Sequence, residues 1–291
     1  MLRRWLERSR VTQRVVRRFV AGETLDAAIT VARKLCSEGI FSTLDRLGEN
    51  VRSAAEADAS LEAGIRSLER IRTEELPATI SIKLTQYGLD LSFEDCERRL
   101  DRLVETAKSL GTRVEVDMES SAYVDRTLQL VRAMHARHGN VRAVIQAYLY
   151  RSEADIELLC QERIPVRLCK GAYLEPPDVA FPRKSSVDEN YCRLLRRLLE
   201  EGKEPAVATH DPKMIDAALR LMKSGEVSID GGVEFQMLYG VRRDLQKKLV
   251  AAGHRLRLYV PYGAAWYPYF MRRLAERPAN VMFLLKSLLR A

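Results

Sequence analysis

The chain has 291 residues, 46% of them hydrophobic and 30% charged, which is material for one well-buried core and excludes a disordered or fibrous protein. Lysine and arginine outnumber aspartate and glutamate 48 to 40, but residues 1–20 alone hold seven arginines against one glutamate and so carry +6 of the net +8. The rest of the chain is nearly neutral, which argues against a nucleic-acid partner, because such a footprint forms a basic face on the folded body.

In the N-terminal arm, Leu2, Trp5 and Leu6, then Val15, Val16 and Phe19, recur at roughly helical spacing among the arginines. This pattern predicts a basic amphipathic helix with two readings. One is peripheral contact with an anionic membrane surface; the plainer one is a helix docked on the body with its arginines in water. Residues 20–39, alanine-rich with Thr24 and Asp26 at the start, read as a further helix. The expected division is therefore a helical arm over 1–39 and a catalytic body over 40–291.

From residue 40 onward, short apolar runs alternate with longer amphipathic stretches. The predicted strands are 41–44, 79–84, 113–118, 142–148, 165–170, 206–210, 233–238 and 256–262, and the predicted helices are 53–74, 91–110, 122–138, 152–162, 186–202, 212–224, 241–252 and 264–277. Leu100, Leu103, Val104, Ala107 and Leu110 trace one helical face. Eight βα units in succession predict an α/β fold of the (β/α)8 TIM-barrel type, somewhat distorted, with the arm as appendage. Ser92 with Asp95 three residues on, and Asp211 before Pro212, are helix-start signals. The connection 171–186 holds Pro176, Pro177 and Pro182 and follows the fifth strand, which places it at the C-terminal mouth of a barrel as a lid.

No run of about 18 apolar residues occurs, so no segment reads as a membrane-spanning helix. Five scattered cysteines (Cys36, Cys96, Cys160, Cys169, Cys192) and no secretory signal predict free thiols in a reducing, cytoplasmic setting. Neither a dinucleotide fingerprint nor a P-loop is present. His135 and His138 read as surface residues with no metal-ligand spacing around them, and His254 as a loop residue.

In a barrel, polar groups at the C-terminal ends of strands converge on one mouth. Here those ends carry Lys83, Asp117 and Glu119, Gln146 and Tyr148, Arg167 and Lys170, Thr209 and His210, Glu234 and Gln236, Tyr259 and Tyr262. So many buried polar residues at matching positions indicate a site more than isolated ion pairs. Lys83 and Asp117, on adjacent strands, are a candidate ion pair, and Arg272–Arg273 on the last helix suit bidentate capture of a carboxylate.

In these motifs the sequence resembles the proline dehydrogenase family: SIKL (81–84), VDME (116–119), QAY (146–148), RLCKGAY (167–173), ATHD (208–211), EFQMLYG (234–240), YVPYG (259–263) and YFMRRLAERPAN (269–280). The resemblance spans most of the chain and is to the short monofunctional bacterial form. It implies FAD-dependent oxidation of L-proline to Δ1-pyrroline-5-carboxylate by hydride transfer, with no metal, a quinone as the expected acceptor and a separate pyrroline-5-carboxylate dehydrogenase as a possible partner. It further implies that Arg272 and Arg273 grip the proline carboxylate and that Lys83 and Asp117 line the substrate pocket. Tyr173, Leu238, Tyr259 and Tyr269 would pack around the ring, with Tyr259 disfavouring hydroxyproline. Gln146, Arg167, Cys169, Lys170, Gly171, Ala172, Thr209, His210 and Glu276 would contact FAD or support those contacts. Two other readings stay open: a Schiff-base aldolase using Lys83 or Lys170 on the same barrel, and a non-catalytic membrane- or nucleic-acid-binding protein working through its basic arm.

Overall fold

The structure is a computed structural model that describes residues 16–224 and 232–275, with the side chains of 272–275 excepted. In chain order the elements are α1(Leu25–Ser37), β1(Phe41–Arg46), α2(Ala54–Thr73), β2(Ala78–Ile82), α3(Phe93–Ser109), β3(Val114–Val116), α4(Val124–His138), β4(Val141–Gln146), α5(Ser152–Gln161), β5(Val166–Cys169), α6(Lys184–Glu201), β6(Ala206–Ala208), α7(Pro212–Ser224), β7(Glu234–Leu238), α8(Arg243–Ala251), β8(Arg255–Tyr262) and α9(Trp266–Ala275). Every adjacent strand pair is parallel, and β8 returns to β1 to close the barrel in sequence order.

Local chemistry sets the helix starts. The hydroxyls of Thr24, Ser53 and Ser92 accept from the backbone N–H three residues on, and Asp211 Oδ1 accepts from Lys213 N at 3.0 Å with Pro212 in the first turn of α7. Outward-facing strand residues such as Ile80, Val116, Ile145 and Leu168 pack under the buried stripes of the helices, Leu100, Leu103, Val104 and Ala107 on α3 among them.

The barrel axis departs from the usual layers of branched aliphatic residues. Lys83, Arg142, Arg167 and Arg257 meet Asp45, Glu115, Asp117 and Glu234 inside it, four cations against four carboxylates, each with 13% or less of its side chain exposed. Contacts such as Arg142 Nη1–Glu234 Oε1 at 2.9 Å and Arg167–Glu115 join strands that are not neighbours, so they cross the interior. A pairwise-balanced set meets the condition for burying charge, that every ion finds its partner.

A second, smaller apolar cluster lies apart from the main core. Val16, Phe19 and Val20 pack with Leu47 against Trp266, Tyr269 and Phe270 of α9. Backbone bonds from Ala21 N to Pro261 O and from Gly263 N to Gly22 O, both 2.9 Å, tie the same segment to the end of β8. It passes so close to Gly240 that a Cβ there would sit 1.7 Å from the Arg18 carbonyl oxygen. Residues 16–22 are thus docked on the body; the rest of the basic helix read at 1–15 lies outside the described residues.

His135 and His138 are half-buried, with His138 Nε2 2.9 Å from Asp101 Oδ1 and His135 Nδ1 unpartnered, which corrects their reading as open surface residues. His254 packs edge-on against Phe235 at 5.5 Å. All five cysteines are free, and no group of three metal-ligating side chains occurs among the described residues. No described helix is long and apolar enough to cross a membrane.

Candidate active site

A cavity of about 610 Å3 opens at the C-terminal ends of the strands, within the range of small-molecule sites. Lys83, Asp117, Gln146, Arg167, Cys169 and Lys170 reach it from β2–β5; Gly171, Ala172 and Tyr173 from the β5–α6 segment; Thr209, His210, Leu238, Tyr259 and Tyr269 from β6–β8 and α9. Every residue marked by the family resemblance whose side chain is described therefore lines one mouth, whereas Glu119, Tyr148, Glu234 and Tyr262, also expected there as strand-end groups, do not line it: Glu234 begins β7 and so lies at the opposite end of that strand. Arg272 and Arg273 lie on α9, one turn beyond Tyr269, with side chains outside the described residues, and Glu276 lies outside them altogether. A second cavity, of about 500 Å3, sits at the opposite end of the barrel around the C-termini of α2, α3 and α4, and it contains none of these residues.

The floor of the mouth cavity is a charged network. Lys83 Nζ lies 3.2 Å from Asp45 Oδ1, 3.3 Å from Asp117 Oδ2 and 3.4 Å from the Tyr259 hydroxyl. Asp117 also accepts from Ser81 Oγ at 2.6 Å and from Arg167 Nη1 at 2.7 Å, both on Oδ1. The Arg167 guanidinium stands 5.4 Å from the Tyr259 ring centroid, in cation–π range. Burial alone would lower the Lys83 pKa, but the carboxylates of Asp45 and Asp117 outweigh it and hold the ammonium charged. Burial works to raise Asp117, yet Lys83 and Arg167 keep it below the usual carboxylate range. Asp45 is raised by burial, Lys83 only partly offsetting this, and its Oδ2 makes no hydrogen bond. Burial, with Asp117 adding to it, puts the Tyr259 phenol far above its ordinary value, so it is a donor.

Around the rim, Gln146 Nε2 donates to Glu119 O at 2.9 Å, and Leu238 N–H donates to His210 Nε2 at 2.8 Å. Burial pushes the Cys169 thiol up to about 12, so it is a neutral packing group and not a nucleophile. Gly171 has φ +122, and a Cβ there would lie 2.3 Å from the Tyr148 ring, so only glycine lets the chain turn over that ring. The segment expected as a lid is pinned at several points. Glu175 accepts from Ser121 N at 2.7 Å and Ser121 Oγ at 2.5 Å, Phe181 N bonds Tyr148 O at 2.8 Å, and Phe181 packs edge-on with Tyr150 at 4.6 Å.

Three contributors lie outside the sequence candidates. Asp45 sits one residue past the predicted first strand; Glu115 is fully buried inside the third and binds Arg167; Asp188 binds Lys170 from α6. Period-two alternation along β3 puts Glu115 on the same face as Asp117, a signal that was available in the sequence.

The model of the proline dehydrogenase family matches residues 28–286. Proline dehydrogenase 2 of Bacillus subtilis is 41% identical over 271 residues, 93% of this chain and 89% of that protein. The proline dehydrogenase of Deinococcus radiodurans is 41% identical over 278 residues, 94% of this chain and 89% of that protein. Among solved structures, proline utilization A from Bdellovibrio bacteriovorus, inactivated by N-propargylglycine, superposes with a TM-score of 0.84 at 26% identity; the match takes in 90% of this chain and only 32% of that one. With the barrel, the mouth cavity and these matches in agreement, the chain belongs to the proline dehydrogenase family.

Proposed function

We propose that the chain oxidises L-proline to Δ1-pyrroline-5-carboxylate at the mouth cavity with FAD as cofactor. The observation that carries this reading is the convergence, on that one cavity, of every described residue that the family resemblance marks for substrate or flavin. The donor set suits an elongated anionic cofactor: Lys170, Lys184, Thr209 and His210 line one side, and Arg167, held by Glu115 and Asp117, keeps an Nε that donates no hydrogen bond. Bound there, FAD supplies the hydride acceptor and the protein supplies orientation and charge.

Arg272 and Arg273 take the substrate carboxylate, with Lys83 as a third cation beneath it. Tyr173, Leu238, Tyr259 and Tyr269 wall the ring and exclude water. The fixed ammonium of Lys83 and guanidinium of Arg167 stabilise negative charge that develops in the cavity without reorganising. Electrons then pass to an acceptor outside the chain, a quinone at a membrane on this reading, and the product to a separate pyrroline-5-carboxylate dehydrogenase. The Schiff-base alternative loses support because a nucleophilic lysine needs a lowered pKa, whereas Lys83 and Lys170 are both raised by carboxylates that outweigh burial.

The deciding experiment is the absorbance of the purified chain under anaerobic conditions. A flavin spectrum that bleaches on adding L-proline is expected; a colourless chain, or a flavin that proline leaves oxidised, overturns the reading.

A further inference from the structure

Lys170 closes β5, and its ammonium is held by carboxylates from two other elements. Asp188 reaches it from the second turn of α6, and Asp211, the residue that caps α7, places Oδ2 2.7 Å from Nζ. Lys184 adds a fourth charge, 3.3 Å from Asp188 Oδ2 and 3.8 Å from Asp211 Oδ2. Lys170, Lys184 and Asp211 line the mouth cavity, and the paired side chains of Lys170, Asp188 and Asp211 are 20–22% exposed. Nothing in the reaction proposed above uses the two carboxylates.

The arrangement has two physical consequences. An ammonium carries three donors, so two carboxylates fix its direction and leave one N–H for a ligand. Two cations and two carboxylates also make the cluster neutral, so the clamp orders Lys170 without making the rim repel an anion. In addition, Lys170 and Asp188 flank the segment 171–183, so their contact joins the two ends of the stretch that brings Tyr173 to the cavity.

We propose that Asp188 and Asp211 are positioning residues that fix the Lys170 ammonium at the rim as the charge receiving the diphosphate of FAD, and that the Lys170–Asp188 contact closes the base of the 171–183 segment. The proposal rests on reading the cavity as a flavin site. The groups facing Lys170 are Asp188, Lys184 and Cys192 from α6, His210 and Asp211 from the loop after β6, and Tyr148, whose N–H bonds the Lys170 carbonyl. Burial works to lower the Lys170 pKa, and its hydrogen bonds to Asp188 and Asp211 outweigh that and raise it. Without the carboxylates only the lowering influence remains, so the charge is lost at lower pH.

The test measures FAD release from the purified full chain, followed by flavin fluorescence between pH 7 and 10, for wild type, the double variant Asp188→Asn/Asp211→Asn, Lys170→Met and the triple variant. The double variant is expected to bind FAD about tenfold more weakly at pH 7, the loss of a charge-assisted hydrogen bond, and to weaken further as pH rises. In the Lys170→Met background the same two substitutions are expected to change nothing, because they act through the lysine. Equal effects in both backgrounds, unchanged or tighter binding, or a pH dependence like that of wild type would overturn the clamp. A wild-type chain that takes up no FAD overturns the functional reading, and the clamp with it.

Discussion

Tyr259 donates its hydroxyl proton to Oδ2 of Asp117 at 2.6 Å, while Lys83 Nζ lies within 3.4 Å of both oxygens. The ring wall of the cavity and its charged floor therefore share one hydrogen bond, and substitutions at Tyr259 separate two effects. Tyr259→Phe keeps the wall and removes the bond; since hydrogen bonds to charged groups contribute about 1.5–3 kcal/mol, kcat/KM for proline is expected to fall by roughly tenfold to a hundredfold. Tyr259→Ser opens the wall, and the ratio of kcat/KM for proline over hydroxyproline is expected to drop. An unchanged ratio would remove Tyr259 from specificity.

Arg272→Met and Arg273→Met are each expected to lower kcat/KM for proline by roughly tenfold or more while flavin occupancy stays at the wild-type level, because the proposed function gives carboxylate binding and cofactor binding to different residues. Adjacent helix positions diverge by about 100°, so the two losses are expected to differ in size. Steady-state kinetics with an artificial acceptor, alongside the flavin-to-protein absorbance ratio, provides both readouts.

Phe19 packs 6.4 Å from Phe270, on the helix that carries the arginine pair. Truncating a buried aromatic costs about 3–5 kcal/mol, and here the loss falls on the seat of α9 and not on the barrel. Phe19→Ala is expected to raise KM for proline severalfold with flavin content retained. A KM equal to wild type would show that α9 is held without the N-terminal segment.

Burial pushes the Glu234 carboxyl up, but Arg257 and Arg142 outweigh it and bring it down to about 2. A carboxylate whose pKa is depressed on folding stabilises above its unfolded value, near 4.5, and that contribution is lost as pH falls toward 2. Glu234→Gln leaves two buried arginines without it, a change of about 3–5 kcal/mol when a buried pair is broken. The gap in urea midpoint between wild type and Glu234→Gln is expected to be widest near neutral pH and to narrow steadily below pH 4.5. A gap independent of pH would show that Glu234 is not ionised in the fold.

The barrel was legible because its signal is periodic: all eight strands and the eight helices that follow them lie where alternation and 3.6-residue spacing put them, with ends displaced by a few residues. At 83–84, 117–118, 147–148 and 209–210 the predicted strands run past the observed ones, where regular pairing gives way to single inter-strand bonds such as Asp117 N to Ile82 O and Thr209 N to Gln236 O, and Lys83, Asp117 and His210 there line the cavity. Lys83, Asp117 and Arg167 stood out as polar groups against apolar runs, and they line the cavity, whereas Tyr173, Leu238 and Tyr269 came from the family resemblance alone. Asp45 was missed because a charge after Leu44 reads as the start of a loop, and what makes its burial tolerable is Lys83, 38 residues away. Asp188 looks like any polar position on an exposed helix turn until Lys170 is seen beside it. Partners distant in sequence leave no trace in local pattern.

The small cluster under α9 also constrains the order in which the molecule is completed. Val16, Phe19 and Val20 precede all eight strands in the chain, and Trp266, Tyr269 and Phe270 follow all eight. The earlier segment waits through synthesis of all eight strands before the surface of α9 that it fits exists. Seating of α9 therefore comes after the strands of the barrel have been made, and it joins two segments that the whole barrel separates in sequence.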